Sequence, residues 1–389
     1  MLDAPPLGHY FGSEHEQFRA ALRDFVAREI TPHVNDWDEA GTFPRGLYRR
    51  AAELGLQGVG VPEAYGGTPG DTFFQIVIAE ELARCGSGGL QASLGSHTIG
   101  LPPVVTAGTE ALKQRVVPGV VSGEAIIALA ITEPGGGSDV ANLKATAVRD
   151  GDHYIVNGEK TFITSGMRAD FITTAVRTDP ASKGAGGVSL LLVDGTAPGL
   201  TRTELKKMGW WASDTAHLHF DHVRVPVANL LGAEGQGFPI IMNNFNSERL
   251  FMSALACSFA QVCLMEALEW ARQRKTFGAP LSERQVIRHK LVDMMARIDA
   301  ARSLLYDLAY RIEHRAADSP QLVARICMLK VVATRAMQFC ADQAVQILGG
   351  MGFMRGTKSE RIYREVKVMM IGGGAEEIMK DLAARQLGI

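Results

Sequence analysis

The hydrophobic pattern of this 389-residue chain changes its period twice, which limits the folds available to the chain. Residues 14–30 repeat apolar side chains at helical spacing, and helix-like sequence broken by Gly/Pro turns continues to about residue 122. Four later segments are typical of strands joined by glycine-rich loops: 125–131, 153–158, 188–193 and 216–225. Helical spacing then returns in four runs: 240–275, 284–316, 321–347 and 374–387.

This order of helices, strands and helices predicts an α+β fold and disfavours the alternating βαβ units of a parallel sheet. The chain is also too long for one ordinary hydrophobic core, so two or three domains are expected. The changes of period predict a helical domain over residues 1–124, a central β domain over 125–237 and a second helical domain over 238–389.

Composition disfavours several classes of partner and location. Lys and Arg number 40 and Asp and Glu number 42, so no basic face for nucleic acid is implied. No run of about 18 uninterrupted apolar residues occurs, and we expect no membrane span. The first residues lack the basic flank and apolar run of a targeting peptide.

Five cysteines lie among apolar residues without CxxC spacing: Cys85, Cys257, Cys263, Cys327 and Cys340. This pattern indicates buried free thiols in a reducing compartment. Together with the ordinary charge balance, it predicts a cytoplasmic enzyme.

Three histidines, His217, His219 and His222, raise the question of a metal site. On a strand, His217 and His219 share a polar face with Asp221, while Leu218 and Phe220 share the opposite face. That alternation is typical of a half-solvated strand, and we expect no metal.

The glycine-rich segments do not match the common nucleotide-binding motifs. Every GxG in the chain lacks the third glycine of the dinucleotide fingerprint, and no GxxxxGK[ST] is present. Three glycines at 372–374 precede a predicted helix. They could aim backbone N–H groups at an anion, or they could leave room for a side chain from elsewhere.

Two strand ends carry a more specific pattern. The buried strand at 125–131 leads directly into Thr132, three glycines and Ser138. Hydroxyls and open amides at a strand end can contact a polar heterocycle and a pyrophosphate. Further on, Phe162 and Thr164 are two residues apart, so on a strand an aromatic ring and a hydroxyl would point to the same side.

These stretches resemble the acyl-CoA dehydrogenase family, flavoenzymes that introduce an α,β double bond into acyl-CoA thioesters. The resemblance covers nearly the whole chain and includes the motifs ITEPGGGSD (131–139), NGEKTFITSG (157–166), RQRKTFG (272–278) and QILGGMGF (346–353). It implies an N-terminal helical domain, a central β-barrel-like domain, a C-terminal four-helix bundle, bound FAD and a homotetramer built as a dimer of dimers.

The resemblance also assigns roles to individual positions. Thr132 and Ser138 match contacts to the flavin and its phosphates, with Ser138 also near the substrate, and Arg249 matches a residue of the CoA site. Phe162 matches the aromatic that packs on the isoalloxazine, and Thr164 the hydroxyl bonded to N5. Five further positions match residues that hold the FAD of a neighbouring subunit: Arg274, Phe277, Gln285, Gln346 and Gly350.

Dehydrogenation needs a general base, and the resemblance puts Gly373 where many family members have that glutamate. Glu248 offers an alternative, because it lies on a largely apolar helix face where desolvation should raise its pKa toward neutrality. The long-chain and isovaleryl branches of the family place their base on this helix. We therefore expect the glycines to make room for Glu248, and the Gly373 amide to bond the thioester carbonyl.

The favoured function is an FAD-dependent dehydrogenase that forms trans-2-enoyl-CoA and passes electrons to an electron-transfer flavoprotein. Gly372 and Ala375 replace an aromatic and a hydroxyl residue usual in the family, which hints at medium, long or branched acyl chains. Two alternatives stay open. One is an oxidase or monooxygenase of the same fold that uses O₂, and the other is a non-catalytic acyl-CoA or flavin binding protein.

Overall fold

The computed structural model describes residues 8–182, 184–314 and 319–389, and it confirms the α+β class. The N-terminal part is helical: α1 (Ser13–Phe25), α2 (Val34–Ala40), α3 (Gly46–Glu53), α4 (Thr72–Ala83), α5 (Gly88–Leu94), α6 (His97–Gly100), α7 (Pro102–Ala107) and α8 (Glu110–Val121). The predicted helix at 14–30 is α1 followed by a π-helical turn over Val26–Ile30. Asp71 caps α4 by accepting the N–H groups of Phe73 and Phe74.

The middle of the chain forms one mixed sheet of eight strands: β1 (Ile127–Ala130), β2 (Thr146–Asp150), β3 (His153–Thr164), β4 (Phe171–Arg177), β5 (Val188–Asp194), β6 (Leu200–Glu204), β7 (Thr215–Pro226) and β8 (Leu230–Leu231). Their order is β6-β7-β3-β2-β4-β5-β8, and β1 pairs in parallel with β4. β3 and β7 are antiparallel, with irregular register between Lys160 and Ile163. The strand pattern had not predicted β2, β4, β6 or β8.

The alternation along β7 agrees with the half-solvated strand expected there. Leu218 and Phe220 are buried, while His219 and Asp221 are exposed. Within the described residues, no group of three or more His, Cys, Asp or Glu side chains could hold a metal ion.

The C-terminal part is helical again: α9 (Gly237–Gln273), α10 (Gln285–Glu313), α11 (Pro320–Leu348), α12 (Gly350–Phe353), α13 (Lys358–Ile371) and α14 (Glu376–Leu387). A short hairpin of β9 (Lys275–Thr276) and β10 (Ala279–Pro280) joins α9 to α10. α11 lies at the centre, because it packs against α9, α10, α13 and α14. The five cysteines are buried free thiols.

The glycines at 372–374 precede a helix as expected, but this helix begins two residues later than the predicted 374, so none of the three glycines belongs to it. Gly373 and Gly374 have φ values of 65° and 109°, which an α-helix excludes, and α14 begins only at Glu376. These three residues form a turn between α13 and α14, the glycine loop.

Helix α9 connects the central sheet to the bundle. Ile241 in its first turns packs with the apolar cluster of α8, β1 and β5, whereas Phe259 and Leu264 belong to the core shared by both helical parts. By length and composition, α9 could also cross a membrane, but 67% of its most apolar window is buried inside the protein. That burial is expected for the core helix of a bundle.

Candidate active site

Glu248 lies on α9 between Phe245, which packs against the apolar cluster of the sheet, and Leu250, which belongs to the core of the helical parts. Its side chain is half-buried, and its carboxylate has no hydrogen bond to any described residue. Desolvation raises the pKa of Glu248 to about 7, although the charges of Arg249 and Lys330 act in the opposite direction. A carboxyl with this pKa can accept a proton near neutral pH.

The glycine loop faces this carboxylate. A Cβ atom on Gly373 would lie 3.7 Å from Oε1 of Glu248 and only 2.8 Å from Sδ of Met252. The structure therefore brings Glu248 beside Gly373, the position at which the resemblance predicts a glutamate in many family members. Met252, one turn further along α9, borders the same point.

Two buried cations hold the glycine loop by its carbonyl groups. Nζ of Lys330, on α11, donates to the carbonyl oxygen of Gly372 at 2.5 Å and also to that of Gly374. Nε of Arg249 donates to the carbonyl oxygen of Gly373 at 3.1 Å. Sequence reasoning missed Lys330, although a lysine inside the apolar run ICMLKVVA was a visible signal of a buried, bound cation.

Arg249 was expected at the CoA site, and its side chain is only 6% exposed. Besides Gly373, its guanidinium donates to Oδ1 of Asn246 at 3.2 Å and lies over the ring of Phe245. The described contacts of Arg249 are therefore made inside the protein, around the glycine loop.

Glu376 points away from this site. Its carboxylate accepts from Nε of Arg335 at 3.0 Å and from Nζ of Lys380 at 2.5 Å. These two bonds hold the pKa of Glu376 below its usual value. Glu376 thus stabilises the start of α14, as expected for an acid in the first turn of a helix.

The predicted flavin contacts meet where β1 ends beside β3. The N–H of Thr161 donates to the carbonyl oxygen of Thr132 at 2.8 Å, so the two segments lie side by side. Phe162 is 69% exposed and has a φ of 61°, in the irregular part of β3. Thr164, two residues further along β3, is half-buried, and Ser138 is exposed on the turn after β1.

A buried ion pair supports this arrangement. Nζ of Lys160, on β3, donates to Oε1 of Glu133 at 2.8 Å and to the carbonyl oxygen of Ile131 at 2.9 Å. The Glu133 carboxylate also accepts the N–H groups of Lys144 and Ala145. The pair fixes the turn that carries Thr132 against the strand that carries Phe162.

The other predicted FAD contacts lie on the bundle, away from the sheet. All five of these residues are exposed: Arg274, Phe277, Gln285, Gln346 and Gly350. Lys290 near the start of α10 donates to Gln343 near the end of α11, which brings both helix ends together. Phe277 is 99% exposed with a φ of 50°.

Comparison with known proteins gives matches over the length of the chain. The acyl-CoA dehydrogenase N-terminal, middle and C-terminal domain models match residues 12–124, 128–223 and 235–388. The mitochondrial long-chain specific acyl-CoA dehydrogenase of Rattus norvegicus is 36% identical over 97% of this chain and 87% of its own length.

Solved structures agree. An acyl-CoA dehydrogenase from Geobacillus kaustophilus superimposes with a TM-score of 0.94 at 40% identity, covering 98% of this chain and 100% of that one. A glutaryl-CoA dehydrogenase from Mycobacterium smegmatis in complex with FADH₂ gives a TM-score of 0.90 at 26% identity, covering 97% and 95%. This chain therefore belongs to the acyl-CoA dehydrogenase family.

Proposed function

We propose that this enzyme oxidises an acyl-CoA thioester to the trans-2-enoyl-CoA, with Glu248 as the base that removes the α-proton. The observation that carries the proposal is the approach of Glu248 to the glycine loop, with Oε1 3.7 Å from the Cβ position of Gly373. A desolvated carboxyl with a pKa of about 7 is suited to take a proton there.

Family members depend on FAD, and FAD is the cofactor of this enzyme. The residues at the end of β1 and on β3 fit that cofactor. Phe162 exposes an aromatic ring on a backbone with a φ of 61°, a conformation that costs a bulky residue about 1–2 kcal/mol. Strain of this kind is retained where a side chain must be aimed at a ligand. Thr132, Ser138 and Thr164 would supply hydroxyl groups around the same ring.

Bound FAD supplies the acceptor for the hydride that leaves the β-carbon. The chain's own residues then have two tasks. Glu248 takes the α-proton as the double bond forms, and the loop stabilises the charge that develops on the thioester oxygen. The second task falls to the N–H of Gly373, which donates to no group among the described residues.

For the substrate, we propose medium, long or branched acyl chains, bound with contacts from Arg249 and Ser138. The absence of a side chain at Gly372 supports this choice. A Cβ there would crowd the carbonyl oxygen of Val368 at 3.1 Å and lie 3.9 Å from Cε of Met252, so the glycine leaves room beside the methionine. A methionine at the edge of this space can also adapt its shape to different chains.

For the assembly, we propose a homotetramer in which the exposed Arg274, Phe277, Gln285, Gln346 and Gly350 contact the FAD of a neighbouring subunit. The 99% exposure of Phe277 leaves a large apolar side chain available to contact a neighbouring subunit, which supports a partner surface there. We also propose an electron-transfer flavoprotein as acceptor, and the cytoplasm as location because the five cysteines are free thiols.

The test is anaerobic mixing of the FAD-loaded protein with butyryl-, octanoyl-, palmitoyl- and isovaleryl-CoA, following the loss of flavin absorbance. We expect bleaching, fastest with the longer or branched substrates. A strict preference for butyryl-CoA would contradict the proposed substrate class. Turnover with O₂ as sole acceptor would favour the oxidase alternative, and bleaching by none of the substrates would favour the non-catalytic one.

A further inference from the structure

The carbonyl groups of the glycine loop are all bound by cations. Lys330 holds those of Gly372 and Gly374, and Arg249 holds that of Gly373. Binding three successive backbone carbonyls in this way requires two buried side-chain cations, and the desolvation of each cation costs free energy. Such an arrangement is expected where the conformation of the loop matters to function.

Lys330 is the more demanding of the two cations. It is 1% exposed, and among the described residues no ion pair joins it to a carboxylate. Burial lowers the pKa of Lys330 to about 8, and the nearby charge of Glu248 only partly offsets this effect. Burial of the Lys330 ammonium group therefore costs desolvation free energy, which its two hydrogen bonds to the loop must offset.

The geometry of the peptide group decides what this contact does. In a trans peptide, the carbonyl of Gly372 and the N–H of Gly373 point in opposite directions. Binding the carbonyl to Lys330 therefore turns the Gly373 N–H away from the lysine. A cation on the oxygen also polarises the peptide unit, which strengthens its N–H as a donor.

Lys330 also lies close to the proposed base. A Cβ on Gly373 would lie 3.9 Å from Cε of Lys330 and 3.7 Å from Oε1 of Glu248, so both side chains approach the same point. The positive charge lowers the pKa of Glu248. One ammonium group thus affects both the glycine loop and the carboxylate of Glu248.

We propose that Lys330 is a positioning residue of the reaction: it orients and polarises the Gly373 N–H toward the thioester oxygen and favours the ionised form of Glu248. This inference rests on the proposed function. The charge of Lys330, beyond its ability to donate a hydrogen bond, is what the role requires.

The test compares Lys330→Gln, a neutral donor, and Lys330→Met with wild type by anaerobic flavin bleaching from pH 6 to 9. Removing one oxyanion donor costs about 10²–10³-fold, so weakening one should slow bleaching by about tenfold or more. Substrate affinity should change much less. The acid limb of the rate profile, set by Glu248, should move to higher pH because the neighbouring charge is gone.

Arg335→Gln is the matched control. Arg335 is a cation on the same helix, α11, but it binds Glu376 and not the glycine loop. The substitution should leave rate and pH profile unchanged. Bleaching of Lys330→Gln at the wild-type rate, with an unmoved acid limb, would overturn the proposal.

Wild type gives a test that needs no variant. Around Lys330, the groups that influence its charge are Glu248 and Arg249 on α9 and Cys327 on α11, while Glu376 on α14 is engaged by Arg335. The bleaching rate should therefore fall as the pH rises through about 8. A rate that stays constant to pH 9.5 would contradict the role of the ammonium charge.

Hydrogen exchange separates this inference from the proposed function. Lys330→Gln should speed exchange in the peptide that carries residues 372–375, whether or not any acyl-CoA is a substrate. Unchanged exchange would show that Lys330 does not hold the loop. Failure of every acyl-CoA to bleach wild type would instead refute the proposed function, with the exchange result still deciding whether Lys330 positions the loop.

Discussion

At the scale of single residues, the site depends on three side chains around one point. Glu248 and Met252 reach it from α9 and Lys330 from α11, and the Cβ that Gly373 lacks would have occupied it. Because Gly373 has a φ of 65°, a side chain there is strained as well as crowded. The chain thus accommodates an acid from α9 in place of one from the loop.

Glu248→Gln is predicted to slow anaerobic bleaching by about 10²–10⁴-fold, because glutamine keeps the size of the side chain but cannot accept the α-proton. Substrate affinity should stay near that of wild type. Glu376→Gln and Glu377→Gln are the controls and should bleach nearly normally. Bleaching of Glu248→Gln at the wild-type rate would mean that the base lies elsewhere.

Gly373→Glu in the Glu248→Gln background should restore part of the bleaching rate, because the resemblance places the general-base glutamate of many family members at that position. The new Cβ would lie 2.8 Å from Sδ of Met252, so the methionine must shift. Adding Met252→Ala should therefore raise the recovered rate further. The same bleaching experiment measures both steps, and no recovery in the triple variant would contradict the idea that the two positions serve one reaction centre.

At the scale of secondary-structure elements, the link between β1 and β3 decides the geometry of the predicted flavin contacts. Lys160 is fully buried on β3, and its partner Glu133 is 8% exposed at the end of β1. Burial lowers the pKa of Lys160 to about 8, whereas the lysine and two backbone N–H groups hold that of Glu133 below its usual value. Both groups are thus charged at neutral pH.

Lys160→Met should lower the free energy of unfolding by about 3–5 kcal/mol, because it leaves the buried carboxylate of Glu133 without its counter-charge. It should also reduce the FAD retained on gel filtration, since the turn with Thr132 loses its attachment. Adding Glu133→Gln should recover part of the stability. Both are measured by urea unfolding and flavin absorbance.

Lys144→Met is the matched control for this prediction. Its backbone N–H donates to the same carboxylate, but its side chain is exposed. The control should stay close to wild type. If it lost as much stability as Lys160→Met, the buried pair would not be the cause.

At the scale of the whole molecule, a buried polar junction joins the three parts of the chain. Glu365 on α13 accepts the N–H groups of Gly88 and Gly89 at the start of α5, at 2.7 and 3.3 Å. Trp210, from the loop before β7, packs against the same glycines. Arg361 and Arg364 on α13 pair with Asp38 on α2.

The junction should make stability depend on pH. Burial raises the pKa of Glu365 to about 7, so the folded state binds its proton more tightly than the unfolded state. The contribution is fully present below the unfolded pKa near 4.5 and is lost as pH rises through about 7. Between pH 4.5 and about 7, the free energy of unfolding should therefore fall by on the order of 3 kcal/mol.

Glu365→Gln should therefore reduce the fall in unfolding free energy between pH 4.5 and 7, as measured by urea titration at several pH values. The exposed Glu377→Gln is the control and should keep the wild-type slope. Glu248 adds a slope of the same sign, so the quantity to compare is the difference between variant and wild type. An unchanged slope would mean that Glu365 titrates normally in the folded protein.

The sequence alone was enough to predict a helical part, a strand part and a second helical part in that order, and the α+β class, because hydrophobic period is a local property of the chain. It also singled out Glu248, since a carboxylate on an apolar helix face is conspicuous without coordinates. Strands β2, β4, β6 and β8 and helix α13 were missed. β4 is buried along most of its length and β2, β6 and β8 are short, so none of these strands gives a clear alternation of buried and exposed side chains.

Only the tertiary structure decided which groups meet. Glu248 and the glycine loop are far apart in the chain, and their approach depends on how α9, α11 and α13 pack. The same packing gave Lys330 its contact with the loop and buried Glu365 between three parts of the chain, and only the structure showed that residues 372–374 form a turn with positive φ at Gly373 and Gly374. Burial and long-range contact set these pKa values and hydrogen bonds, and neither is a property of local sequence.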